Sequence, residues 1–185
     1  MKKIAFLCLP GLTTFIEPIT DYFEAKGYLV RRVYTGAGHV LTNALEWADV
    51  IWIEWANELA ITLTNTQNID QLKKKMIIRL HSYEALTSLA KRVNWQPVTD
   101  VIFVADHVKR YVQKTVDGLA KSKINIHVIP NGVKVDQIPF KDRGYKEWES
   151  SNFKICSLGH MSNKKGPMLL LHAFLDMRKN MDEFN

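Results

Sequence analysis

Ile4-Ala5-Phe6-Leu7-Cys8-Leu9 is an unbroken apolar run of six residues that stops at Pro10-Gly11. A run this short and this uniformly apolar is expected of a strand covered on both faces, as in a parallel sheet. The residues after it change period. Thr14 and Glu17 have capping-box spacing, Ile16, Ile19, Tyr22 and Phe23 fall on one helical face, Pro18 fits a first turn, and Gly27 is placed to close the helix. The first 27 residues therefore read as strand, turn, helix.

The same alternation repeats down the chain. Strands are expected at Tyr28–Tyr34, Asp49–Trp55, Met76–His81, Asp100–Ala105 and Ile124–Ile129. Between them lie Leu41–Trp47, a helix from Asn57 onward, a helical recurrence of Leu86, Leu89 and Val93, and a helix capped by Asp106 carrying Val108, Tyr111, Val112 and Leu119. Strands alternating with helices imply βαβ units, so the expected class is α/β: a Rossmann-like parallel sheet with helices on both faces, over residues 1–134. A polar stretch at 135–152 reads as a linker. Phe153–Leu158 and Pro167–Lys179 then read as one further strand and helix, in a unit at 153–185. One strand and one helix cannot bury a core, so this second α/β unit is expected to be incomplete as given.

Bulk numbers exclude several classes. The 185 residues are 46% hydrophobic and 24% charged, ordinary for a globular chain. The opening apolar run is shorter than the roughly 7–15 residues of a signal-peptide core, and no run nears the ~20 apolar residues that cross a bilayer. The expected setting is cytoplasmic, soluble or peripheral at the inner membrane face. Cys8 and Cys156 both sit in strand-like apolar runs and suit buried, reduced thiols. The formal charge is +6. Its basic groups are Arg31-Arg32, Lys73-Lys74-Lys75, Lys109-Arg110 with Lys114, and Lys121 with Lys123. They suit either phosphate and anionic lipid or an ordinary solvated face. No nucleic-acid-binding signature accompanies them, so nucleic acid is not an expected partner.

Chemistry in an open parallel sheet collects at the carboxyl ends of the strands. There the sequence places Pro10 and Gly11; Glu54 with Asn57 and Glu58; His81-Ser82 with Glu84; Asp106-His107; and Asn131-Gly132. Each has a structural alternative: a turn, a cap, or a residue supplying positive φ. Their joint position on one rim favours a cleft. His81 is the titratable group directly after a strand. Gly36-Ala37-Gly38 lacks the third glycine of a dinucleotide fingerprint and follows the wrong strand. No zinc-spaced Cys/His cluster, Walker sequence or Ser-His-Asp pattern is present. The loop Gly159–Gly166 joins the last strand to the last helix. With Lys165 and the helix N-terminus it is able to hold a diphosphate without a metal.

Three stretches carry a resemblance. Val128-Ile129-Pro130-Asn131-Gly132-Val133 resembles the V-I-P-N-G-V-D signature closing the first domain of retaining GT-B glycosyltransferases of the large family numbered four. Lys154–Phe174, KICSLGHMSNKKGPMLLLHAF, resembles that family's entry into its nucleotide-sugar domain, and Asp100–Tyr111, DVIFVADHVKRY, resembles its strand and helix before the signature. The resemblance implies transfer of a hexose from a UDP- or GDP-sugar to a glycan or lipid-linked acceptor, with retention, no cofactor and no metal. It implies that Lys165 and Gly159 meet the donor diphosphate and that Gly11 approaches the donor. His81 then lies at the transfer site. His160 stands where the family usually has arginine; imidazole is shorter and mostly neutral near pH 7. The family's paired glutamates would lie beyond Asn185, which implies an inactive fragment. The competing class is a non-enzymatic Rossmann-like module whose rim holds a small molecule or partner.

Overall fold

The computed structural model describes residues 1–120, 123–133, 135–139, 156–157, 159 and 162–182. Two compact units divide the chain, Met1–Lys134 and Val135–Asn185. The first holds six strands: β1 (Lys3–Leu7), β2 (Leu29–Val33), β3 (Val50–Glu54), β4 (Lys75–Leu80), β5 (Asp100–Phe103) and β6 (Asn125–Val128). All pair in parallel, in the order β2-β1-β3-β4-β5-β6. This is the Rossmann-like α/β sheet expected from the alternating pattern.

Right-handed crossovers dictate where the helices lie. The step from β1 to β2 runs one way along the sheet, and every later step runs the other way. Helix α1 (Glu17–Ala25) therefore lies alone on one face, where Ile16, Ile19 and Phe23 pack on Ile4, Phe6, Trp52 and Ile102. The opposite face carries α2 (Gly38–Trp47), α3 (Glu58–Thr64), α4 (Ser82–Ala85), α5 (Leu89–Arg92), α6 (Asp106–Thr115) and α7 (Asp117–Ala120). Leu41, Leu45, Leu59, Leu63, Val108 and Val112 from these helices close the larger core over Leu7, Ile51, Ile53, Ile78, Leu80 and Phe103. Each such buried side chain contributes roughly 1.5–3 kcal/mol of transfer free energy.

Several local expectations are corrected. Thr14 makes no cap; Thr13–Phe15 forms a 3₁₀ turn, and α1 starts after Ile16 without a side-chain cap. Pro18 does sit in the first turn of α1, and Gly27 closes the helix at φ 83°. The helix expected through Leu86, Leu89 and Val93 is two short helices. Leu86 lies between them, 71% exposed, because Thr87 turns the chain there by bonding Glu84 O and receiving Leu89 N–H. Ala105, not Asp106, is the N-cap of α6; Asp106 is its first residue and pairs with Lys109 and Arg110.

The second unit contains a 3₁₀ turn at Val135–Gln137, another at Asn163–Lys165, and α8 (Pro167–Asp182). Leu169, Leu171, Phe174 and Met177 of α8 are exposed. Cys156 is exposed as well, against expectation; Cys8 is buried. The expected strand Phe153–Leu158 lies mostly outside the described residues, as does most of the expected linker.

Candidate functional site

Side-chain alternation sets the site. Trp52 and Glu54 are two residues apart on β3 and point to the α1 face, and Glu54 stands in register with Arg79 on β4. The two charges meet inside the protein. Arg79 Nη1 lies 3.1 Å from Glu54 Oε1, with the side chains 4% and 0% exposed. Burying two charges is expensive unless the remaining polar atoms are also satisfied, and here they are. Glu54 Oε2 accepts Trp52 Nε1–H at 3.0 Å, and Oε1 also meets His81 Nε2 at 2.8 Å. Arg79 donates to the carbonyl of Phe15 at 3.4 Å and to Asn131 Oδ1. The network thus joins the ends of β3 and β4 to the turn after β1 and the segment after β6.

His81 is itself only 4% exposed. Trp55 stacks on its imidazole, with centroids 3.8 Å apart and planes 18° from parallel, and Phe15 lies 5.4 Å away. The backbone of Trp55 is unusual. Its φ is 72°, a left-handed conformation costing a bulky residue on the order of 1–3 kcal/mol. Its N–H still reaches Arg79 O at 3.0 Å, and its Nε1–H reaches Leu12 O at 3.1 Å. Leu12 follows β1 and Trp55 follows β3. The sheet order reverses between those two strands, so the indole spans the topological switch point where open α/β sheets bind ligands.

Glu84 and Asn57 form a neighbouring pair of supports. Ala56 N–H donates to Glu84 Oε1 at 2.8 Å, and Asn57 caps α3 by accepting Leu59 N–H at 3.0 Å. Glu84 Oε2 and Asn57 Nδ2 are buried without hydrogen-bond partners among the described residues. Burial drives the Glu84 carboxyl above its ordinary pKa, against the backbone N–H groups that favour its charge. Burial, then the Glu54 charge, pushes the Cys8 thiol up to about 12. Cys8 is accordingly a neutral core residue at the base of the site.

A cavity of about 760 Å³ adjoins the network on the α1 face; Thr13, Phe15, Trp52, Arg79, Ile102 and Pro130 are among its lining residues. Arg79 is common to the cavity and the ion network.

Of the rim residues expected from sequence, Glu54, His81 and Asn131 are brought together, with Arg79 as the hub. Asn57, on the loop after β3, and Glu84, in α4 after β4, lie one layer behind. Pro10 and Gly11 form a turn closed by Leu12 N–H to Leu9 O at 3.3 Å, with Gly11 at φ 79°, as a Pro-Gly turn requires. Glu58 is exposed in the first turn of α3. In the second unit, Lys165 ends the 3₁₀ turn before α8 and is exposed; Gly166 follows at φ 67°. Gly159 is exposed, and His160 lies outside the described residues. Arg79, Trp55 and Phe15 went unanticipated. Arg79 shows in the sequence only as a cation inside an otherwise apolar run; its pairing with Glu54 comes from the register of β3 on β4.

Fold and site together define an α/β protein with a Rossmann-like parallel sheet and a buried charged cluster at its switch point. Comparison with known protein families, curated proteins and solved structures finds no match. Among the described residues no helix is long and apolar enough to cross a membrane, and no group of three or more His, Cys, Asp or Glu is arranged to hold a metal ion.

Proposed function

We propose that residues 1–134 are the acceptor-side domain of a retaining GT-B glycosyltransferase and that 153–185 open its nucleotide-sugar domain. The observation that carries this reading is the Arg79 hub. It ties Asn131, from the motif that resembles the family's domain-closing signature, to Glu54 and His81 at the carboxyl edge of the sheet. In this reading a hexose passes from a UDP- or GDP-sugar to a glycan or lipid-linked acceptor on the cytoplasmic side of a membrane. His81 faces the transfer site. Lys165 and the N-terminus of α8 stabilise the departing diphosphate by fixed positive charge, which is worth most where water is excluded.

The near-complete burial of Glu54 and His81 favours a second reading, in which the network is a rigid floor under a small-molecule binding module. The native reading frame separates the two. A frame that continues beyond Asn185 with two glutamates seven residues apart, and a product that transfers labelled hexose to a glycan or lipid extract, supports the enzyme. A frame that ends at Asn185, with small-molecule binding but no transfer, supports the module. Residues 1–185 alone are expected to give no turnover.

A further inference from the structure

We propose that the cavity on the α1 face of the first unit binds an uncharged amphiphile. The ligand is an apolar chain or ring system with a neutral acceptor oxygen that takes a hydrogen bond from Arg79. This inference goes beyond the reading above and applies to an enzyme and to a binding module alike.

The strand order leaves the space. All crossovers after β2 run to the opposite face, so among the described residues α1 is the only helix on this side of the first unit. Beyond α1, Arg79 of β4 and Ile102 of β5 border a cavity of about 760 Å³. The Thr13–Phe15 turn and α1 form one wall, and the segment after β6 forms the other. Arg79 ties the two walls together through Phe15 O and Asn131 Oδ1. The volume lies within the ~300–1,000 Å³ of pockets that enclose small organic molecules. Phe15, Ile129 and Val133 are exposed, and all three gather at this one cavity. Apolar side chains scattered singly need no explanation, whereas a cluster around a concave site marks a binding surface.

The guanidinium defines the polar end of the ligand. Arg79 is 3% exposed and has five N–H donors. Three bonds are placed: to Glu54 Oε1, Phe15 O and Asn131 Oδ1. Nε–H and the second Nη2 hydrogen have no acceptor among the described residues. Nε is not sealed in the interior, and the cavity is the open space that Arg79 lines. Polar groups buried this deeply are normally hydrogen-bonded, so an oxygen in the cavity completes the set. That oxygen is uncharged. Glu54 already balances Arg79 from inside, and the other ionisable groups on the wall are the carboxylates of Glu17 and Asp21, the latter paired with Arg32. An anionic head adds like charge to that wall. An ammonium has no lone pair to accept from Arg79 and is repelled by it. A hydroxyl, ether or carbonyl oxygen meets both conditions.

The test is a titration of the 185-residue chain, labelled with ¹³C at the isoleucine δ1 methyls, with octan-1-ol at pH 7.5. Ile19, Ile102 and Ile129 line the cavity and should shift along saturating curves. Ile51, Ile53 and Ile78, in the core on the opposite face, should not move. Half-saturation is expected at or below about 1 mM, as burial of most of an eight-carbon chain allows. Octanoate and octylammonium have the same chain with a charged head, and each should bind at least about fivefold more weakly. Ile129→Trp fills the mouth from an exposed position, so the fold is retained, as a melting curve checks; the Ile19 and Ile102 shifts should vanish. Val133→Trp, at another exposed lining position, serves the same purpose if the first variant melts early. A flat titration, shifts that spread to Ile51, Ile53 and Ile78, or binding unchanged in the filled variants would overturn the site. Octanoate or octylammonium binding as tightly as octan-1-ol would overturn the neutral oxygen at Arg79. Transfer of labelled hexose by the native-frame product bears on the glycosyltransferase reading alone, so the two can fail separately.

Discussion

Replacing Arg79 with methionine should be among the most destabilising single changes in the first unit. The side chain is 4% exposed and faces a carboxylate that is fully buried. Breaking one partner of such a pair costs about 3–5 kcal/mol, because the remaining charge stays buried and uncompensated. Methionine fills similar space, so little of the loss comes from a cavity. Domains of this size are stable by roughly 5–15 kcal/mol, so the change removes a large share. With a urea dependence near 2 kcal/mol per molar, the unfolding midpoint should fall by about 1.5–2.5 M. Fluorescence of Trp47, Trp52, Trp55 and Trp95 reports unfolding of this unit. The decisive arm is Glu54→Gln with Arg79→Met. The amide still offers an oxygen to the ring of donors but has no charge to strand, so the double variant should be more stable than Arg79→Met alone. What remains lost are the bonds to Phe15 O and Asn131, at about 1–3 kcal/mol in total. Strictly additive effects, or an Arg79→Met cost below about 1 kcal/mol, would refute a charge-coupled site.

Glu84→Gln should stabilise the protein at neutral pH. Its folded-state pKa is raised by burial, so between the unfolded carboxylate value and that raised value the unfolded chain ionises first and is favoured; the gain from Gln should vanish near pH 4, as paired urea curves would reveal. Asp100 has the opposite sign. Burial raises its pKa, but the bonds from His127, Thr99 and Lys75 outweigh that and hold it below the ordinary value. Its stabilisation is present above the unfolded carboxylate value and is lost as pH falls through the lowered one. Asp100→Asn should flatten that acid limb, and an unchanged limb would count against the His127–Asp100–Lys75 cluster. Native alkylation at pH 8 should modify Cys156 and spare Cys8, whose thiol stays neutral to about 12; mass spectrometry showing both labelled before unfolding would contradict the buried position.

The inner strands β1, β3, β4 and β5 were legible because a parallel sheet buried on both faces writes itself as apolar runs, whereas the largely exposed edge strands β2 and β6 were legible by their place in the alternation with helices. The basic groups were legible only as alternatives, and the structure resolves most of them into local supports. Arg31 lies over Trp47 at 4.3 Å and bonds Asn43 O, and Arg32 pairs with Asp21 and Glu24. Lys74 donates to the last carbonyls of α2, Leu45 O and Glu46 O, and Lys75 meets Asp100 at 3.2 Å. A charge run shows where cations are but not which carbonyls and carboxylates the fold brings to them. Leu86 failed for a related reason: its spacing is helical, but Thr87 diverts the backbone after one turn.

The site divides along the same line. Glu54 and His81 were readable because they end strands; their partner was not, since register between β3 and β4 is a property of the sheet. Trp55 was further out of reach, because nothing in its neighbours announces a left-handed backbone. Yet these hidden features give the site its weight. Apolar residues at 54 and 79 would cover the α1 face as well or better, since a buried ion pair is commonly neutral or costly beside a well-packed hydrophobic pair. A strained tryptophan is likewise no help to a core. Two such expenditures meet at the one edge where the strand order reverses, around a single histidine. Stability accounts for neither, whereas the proposed role of this crevice in binding would account for both.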